Sequence, residues 1–233
     1  PITGTIVSGT YGDANIKNYS HGMFQSVFDY PYLSSSANHI FDITFGYAAS
    51  SGYNNSSNTQ NSKKVNIYNQ MAQVLMGYDN TGSIKLFDED GDLTGGTKLK
   101  ECVFVTFSRL LMKDEIKKGS FRLDLGVSAS LDYAGGVFDD RIKITDIGAD
   151  TSYKINSPVG EYGILIADTA VSGGASSGEI LTNDSGSLAT GQKCGLIFYQ
   201  AGVAVLTASV FSTASVGGIL LNTLGAPVMV GTK

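Results

Sequence analysis

The clearest two-residue alternations in the chain set Phe41, Ile43 and Phe45 against Asp42 and Thr44, and Phe121, Leu123, Leu125 and Val127 against Ser120, Arg122 and Asp124. Side chains alternate across a strand, so each run predicts a strand with one wet face. Residues 102–107, CVFVTF, are apolar with little alternation, as expected of a strand covered on both faces. Shorter candidates follow near 141–147, 162–167, 195–199 and 203–211, separated by Gly, Ser and Asp turns at the spacing of a sandwich or barrel.

One stretch carries a helical period. Val65, Tyr68, Met71, Ala72 and Leu75 predict a helix over 63–76, with Asn61 or Ser62 as its N-cap and Gly77 past its end. The preceding residues 50–62, SSGYNNSSNTQNS, are small and polar and read as a mobile loop or helix lead-in. Residues 109–118 predict a short helix or a turn. Residues 1–37 are rich in Gly, Ser, Asn and Tyr, which predicts an extended arm that needs a partner to order it.

The expected organisation is an arm over 1–37, a β-rich domain over 38–172 carrying the helix, and a C-terminal segment over 173–233. A small-residue stretch near 175–179 precedes that segment, which is either a separate module or part of the same domain. The expected fold class is mainly β with one or two short helices (α+β): an antiparallel sandwich or barrel-like core with an extended N-terminal arm.

Between Lys193 and Lys233 the sequence has no charged residue. Its first part, CGLIFYQAGVAVLTASVF, sets Leu196 and Phe198 on one face and Ile197 and Tyr199 on the other. It turns at Gln200, Ala201 and Gly202 and resumes with Val203, Val205 and Leu206. So long an uncharged run predicts a surface closed over by a neighbouring subunit. The candidate interface residues are Leu196, Phe198, Tyr199, Val203, Val205, Leu206, Val210 and Phe211, each covered apolar side chain contributing about 1.5–3 kcal/mol. A membrane span is disfavoured, because Gln200, Thr207, Ser209, Ser212, Thr213 and Ser215 interrupt every window and no basic cluster flanks it.

Composition narrows the function classes. Of 233 residues, 16 are Lys or Arg and 21 are Asp or Glu, so 16% are charged and the net charge is −5. Soluble domains carry about 25%, which leaves this surface poor in charge. The basic residues run no longer than the pairs Lys63-Lys64 and Lys117-Lys118, too few to neutralise a row of phosphates, so no nucleic-acid partner is expected. With 42% hydrophobic residues there is ample core, and 29 Gly, 12 Tyr and 11 Phe with only 4 Pro suit strands and tight turns. No basic n-region with an apolar h-region stands at the start, so a secretory route is not expected.

Little chemistry stands out. Two cysteines, Cys102 and Cys194, and two histidines, His21 and His39, do not make a zinc site or a disulfide scaffold. Asp88, Asp90 and Asp92 share the first three ligand spacings of a calcium loop, but Leu93 stands at its glycine position and Leu99 at its closing glutamate, which predicts a solvated acidic turn. Residues 186–193, GSLATGQK, imitate a phosphate loop until Gln192 and Cys194 replace its Lys and hydroxyl residue. Neither histidine is placed for nucleophilic catalysis, and the pairs Asp114-Glu115 and Asp139-Asp140 read as turn and helix-start residues. Tyr30, Tyr32, Tyr47, Tyr53, Tyr133, Tyr153 and Tyr162 are suited either to a glycan-binding surface or to core and interface packing. No catalytic residue, metal or cofactor is expected.

Four blocks, FDITFGYA at 41–48, VNIYNQMAQVLMG at 65–77, KDEIKKGSF at 113–121 and GLIFYQAGVAVLT at 195–207, resemble structural proteins of tailed bacteriophages, particularly contractile-tailed marine and cyanobacterial phages. The resemblance implies a non-enzymatic tail, baseplate or neck subunit. Its partners would be copies of itself and other virion proteins, and it would reside in the virion after assembly in the host cytoplasm. The alternatives are a head decoration or fibre protein, or a carbohydrate-binding adhesin module that contacts a glycan through its Tyr-rich loops.

Overall fold

A computed structural model describes residues 14–19, 23–108, 114–126, 131–132, 137–138, 141–169 and 192–211. The strands are β1 (Ile16–Asn18), β2 (Phe24–Phe28), β3 (His39–Tyr47), β4 (Phe87–Asp88), β5 (Lys98–Leu99), β6 (Glu101–Phe107) and β7 (Arg122–Gly126). They continue with β8 (Leu131–Asp132), β9 (Val137–Phe138), β10 (Arg141–Thr145), β11 (Lys154–Ser157), β12 (Gly160–Thr169), β13 (Gln192–Phe198) and β14 (Val203–Thr207). Helix α1 spans Asn61–Leu75, the single turn α2 spans Ala149–Ser152, and a 3-10 turn covers Ala208–Phe211. The fold is mainly β and antiparallel, the class the sequence predicts.

Ten strands form one sheet in the order β1-β2-β3-β6-β14-β13-β12-β10-β7, with β11 pairing to the first half of β12. Strands nearly 100 residues apart in sequence therefore meet in its middle, where β14 lies between β6 and β13. The sheet curls. Phe107 on β6 and Phe121 just before β7 have ring centroids 5.7 Å apart, although five strand steps, about 24 Å in a flat sheet, separate those strands. Among the described residues the curl does not close into a barrel, since β1 and β7 each have a neighbour on one side only.

Alternation then divides the core into two. On one face Ile43, Phe45, Val103, Val105, Leu165, Ile197, Ala204 and Leu206 pack with Ile144 and, at the margin, Phe121 and Leu123. On the other, Phe104, Tyr162, Leu196, Phe198, Val203 and Val205 are covered by α1 and by the segment holding β4 and β5, through Tyr68, Leu75, Phe87 and Leu99. A bulge between Leu165 and Ile166 shifts the register against β13, which places Cys194 on the same face as Ile197.

Helix α1 buries Lys64, Ile67, Tyr68, Ala72 and Leu75. The apolar stripe thus includes Tyr68, Ala72 and Leu75 as expected, while Val65 and Met71 are only partly buried and a lysine stands on the covered face. Gly77, at φ 75°, donates its amide to Ala72 O at 3.1 Å, the C-terminal closure the sequence predicts. The N-cap is Gln60, with no side-chain cap. Asn61 is taken instead by Tyr47, whose hydroxyl donates to Asn61 Oδ1 at 2.7 Å, and by Asn55 O. The loop expected to be mobile is tied down by such bonds: Asn54 Nδ2 donates to Ala49 O and Asn58 Nδ2 to the Tyr47 hydroxyl.

The arm expected to await a partner is corrected over its described part. β1 pairs with β2 and β2 with β3, so 16–18 and 24–28 belong to the chain's own sheet. In the 109–118 stretch, residues 114–119 form turns without a helix, and 109–113 lie outside the described residues.

Candidate functional site

The expected subunit interface is not a surface. Leu196, Phe198, Tyr199, Val203, Val205, Leu206 and Val210 are at most 6% exposed within the single chain. The hairpin β13–β14 is the middle of the sheet, and β6, β12, α1 and Phe87 close over it. Absence of charge there reflects burial in the chain's own core and leaves nothing for a partner to cover. Phe211 stands in the 3-10 turn that follows, and residues 212–233 lie outside the described residues.

Apolar side chains that do face water lie elsewhere. Tyr30 (59% exposed), Tyr32 and Leu33 (86%) stand in the connection between β2 and β3, while Ile147 (65%), Tyr153 and Ile155 (75%) stand around α2 and β11. Of the seven tyrosines suited to a glycan surface, Tyr47 and Tyr162 are buried and Tyr53 packs against the core. Tyr30, Tyr32 and Tyr153 remain exposed, and Tyr133 lies outside the described residues.

The acidic stretch is built differently from a solvated turn. β4 and β5 pair as a short ribbon over the sheet, because Phe87 and Leu99 are buried against Tyr68, Phe104 and Phe198. Tyr68 fastens the ribbon from the helix: its hydroxyl donates to Leu99 O at 2.6 Å and accepts the Phe87 amide at 3.3 Å. Asp88 follows Phe87 inward and is 0% exposed, which corrects the expectation of a solvated residue there. Its Oδ2 accepts the Leu93 amide at 2.8 Å and pairs with Lys98 Nζ at 2.8 Å. Its Oδ1 is buried and has no hydrogen-bond partner.

Asp90 and Asp92 complete a group in which one carboxylate oxygen from each of the three residues lies within 4.8 Å of the others. Hydrogen bonding from the Asp92 amide, helped by Lys193 and Lys98, holds the Asp90 carboxyl below its usual range. The loop is pinned at Gly91, whose carbonyl accepts from Asn156 Nδ2 at 2.7 Å and from the Tyr162 hydroxyl at 3.2 Å. Gly91, at φ 73°, has no room for a side chain, because a Cβ would lie 2.9 Å from that hydroxyl and 3.0 Å from Lys154 Cγ. Burial, with the nearby Asp88 charge second, pushes Tyr162 up to about 12. Leu93 takes the left-handed conformation, φ 65°, that a calcium loop normally assigns to glycine.

Other candidates offer no catalytic arrangement. His39 Nε2 lies 2.9 Å from Asp42 Oδ1, and Ser26 Oγ donates to the same oxygen, so the ring is not placed to take the hydroxyl proton. Cys102 and Cys194 are free and fully buried, and burial pushes both thiols up, away from nucleophilic use. Glu115 is engaged with Gln200 and Lys118. Of the phosphate-loop imitation only Gln192 and Lys193 are described, and they belong to β13. His21 and the Asp139-Asp140 pair lie outside the described residues.

No family model, curated protein or solved structure matches the chain.

Two positions escape sequence reasoning. Asp146, fully buried, accepts the Gly119 amide at 2.8 Å, the Phe121 amide at 2.9 Å and the Tyr199 hydroxyl at 3.0 Å. It joins the turn that leads into β7 to the hairpin's turn, and desolvation, with the Asp146 charge second, pushes Tyr199 up. Gly46 lets α1 reach β3: a Cβ there would lie 2.7 Å from Tyr68 N and 2.9 Å from Lys64 O. No periodicity marks either position, since each acts on a segment distant in sequence. Among the described residues, no helix is long and apolar enough to cross a membrane.

Proposed function

We propose that the chain is a non-enzymatic structural subunit of a tailed-bacteriophage virion, in the tail, baseplate or neck, and that it assembles with copies of itself and with other virion proteins. The observation that carries this reading is the set of exposed apolar side chains, Tyr30 and Leu33 beside β2 and β3 and Ile147 and Ile155 beside β10 and β11. They stand on a chain with only 16% charged residues. Exposed aromatic and aliphatic anchors on a charge-poor surface suit subunit packing, and β1 and β7, each with one described neighbour, offer backbone groups to a further strand. The resemblance of the four sequence blocks to phage structural proteins points the same way, with the interface moved from the hairpin to these margins.

The test is incorporation. Mass spectrometry of purified virions is expected to find the chain. Leu33→Asp with Ile155→Asp is expected to leave its folding intact and remove it from particles. Normal incorporation of that double variant would sink the reading. A carbohydrate-binding adhesin is the second reading, favoured by the exposure of Tyr30, Tyr32 and Tyr153. It predicts a concentration-independent monomer that binds glycans and loses them in Tyr30→Ala.

A further inference from the structure

We propose that Asp88, Asp90 and Asp92 form a calcium site, with the β4–β5 loop as its frame. The three carboxylates offer oxygens within 4.8 Å of one another, a spread that fits one shell of Ca–O distances of about 2.3–2.6 Å. Clustering alone would not identify a ligand. The independent observation is Asp88 Oδ1, a carboxylate oxygen sealed from water at a residue 0% exposed and lacking any donor. A buried acceptor without a partner is costly, whereas the other oxygen of this same group accepts the Leu93 amide and lies against the Lys98 amine. The orphan atom faces the loop: the point where a Cβ would stand on Gly96 lies 3.6 Å from Asp88 Oδ1 and 3.9 Å from Asp90 Oδ2. Gly96, at φ 64°, thus borders both carboxylates and adds no side chain between them.

Charge and donor type select the ion. Three carboxylates stand against the amine of Lys98, ion-paired with Asp88, and that of Lys193, which acts on Asp90, so the group keeps a net negative charge that suits a cation. All the ligands are oxygen, with no imidazole or thiolate among them, so a hard cation is favoured over zinc or copper. A loop that turns through the left-handed glycines Gly91, Gly95 and Gly96 suits calcium, which accepts irregular shells, over magnesium, which demands a near-regular octahedron. Binding would tie the half-buried Asp90 and the exposed Asp92 to the buried Asp88 and hold the loop on the sheet at Gly91. The site stands apart from the virion assignment and does not depend on it.

The experiment uses the whole chain, freed of metal with EGTA. Calcium is titrated calorimetrically, and terbium, a calcium surrogate, is followed by emission sensitised from tyrosine, with Tyr162 beside the loop as donor. One calcium per chain is expected, with Kd of roughly 10⁻⁵ to 10⁻³ M, displacing terbium where equal magnesium does not. At ten times Kd the melting temperature is expected to rise by about 3 °C or more. Asp90→Asn and Asp92→Asn, both outside the core, are expected to melt like the parent in EGTA and to weaken calcium at least tenfold. Three results overturn the proposal: no calcium heat at the weak end of that range, unchanged affinity in both variants, or equal binding of magnesium.

Discussion

The hairpin β13–β14 and the acidic loop between β4 and β5 touch one another, Phe198 standing edge-on to Phe87 with centroids 6.4 Å apart, yet local sequence misrepresents them in opposite senses. The uncharged hairpin reads as a surface awaiting a partner and is the middle of the sheet. The acidic loop reads as a wet turn and carries a wholly buried carboxylate. Position in the strand order, between β6 and β12 for the hairpin and above Phe104 and Phe198 for the loop's base, decides burial in both. Charge content reports what a segment tolerates, whereas the neighbours that cover it come from distant parts of the chain.

The largest effect is expected where the comparison is sharpest. Phe198 stacks on Tyr162 at 5.0 Å between centroids and is fully buried. Phe198→Ala is therefore expected to cost about 3–5 kcal/mol. Urea unfolding at widely different protein concentrations checks it, with the same loss at each. A loss that shrinks on dilution would return the hairpin to an intersubunit role. Asp146→Ala comes next, because it removes the acceptor of the Gly119 and Phe121 amides and of the buried Tyr199 hydroxyl at once. About 3 kcal/mol is expected, against about 1 kcal/mol for Tyr199→Phe, which removes one donor. Equal losses in the two variants would show that the amides find other acceptors.

Strand-level architecture was legible because period two marks a strand at Phe41, Ile43 and Phe45, although the face read as wet is covered at Thr44 and Gly46, and because Val103, Phe104 and Val105 have no polar partner to alternate with. Strand order was not legible. Nothing in the spacing of residues 101–107 and 203–207 says that they pair directly, with Val203 opposite Thr106 and Leu206 opposite Val103. The acidic cluster was visible as spacing, but its chemistry was not, since burial of Asp88 depends on Phe87 docking against Tyr68 and Phe198. Asp146 carries no spacing signal, since the amides and the hydroxyl it accepts come from residues 119, 121 and 199.

Gly46 sharpens the comparison from the helix side, since α1 with the β4–β5 ribbon covers the face the hairpin presents. Both atoms that an added Cβ would meet most closely are backbone, so α1 as a whole must shift. Gly46→Ala is expected to cost about 1–3 kcal/mol, measured by denaturant unfolding. Thermal melts should show the same rank, below Phe198→Ala. A neutral result would mean that the helix slides freely on β3.

Lys64 gives the smallest effect and the finest test, because it is a buried charge without the pairing Asp88 has. Burial, with the like charge of Lys63 second, lowers its amine from 10.5 to about 8. The folded chain then binds fewer protons than the unfolded chain between those values, so stability rises with pH from about 8 to 10.5. Below pH 8 both states hold the proton and the folded state bears the full penalty of a covered ammonium. Lys64→Met is expected to gain on the order of 1 kcal/mol at neutral pH, a gain that fades by pH 10.5. Tyr162 acts the other way, since a phenol held at about 12 against an ordinary 10.0 loses stability for the fold above pH 10. That loss is common to parent and variant and cancels in their difference. Urea midpoints of the two chains from pH 7 to 10.5 settle it: a difference constant across the range would mean that the Lys64 ammonium reaches water, and that an unpaired charge on the covered face of α1 costs the fold nothing.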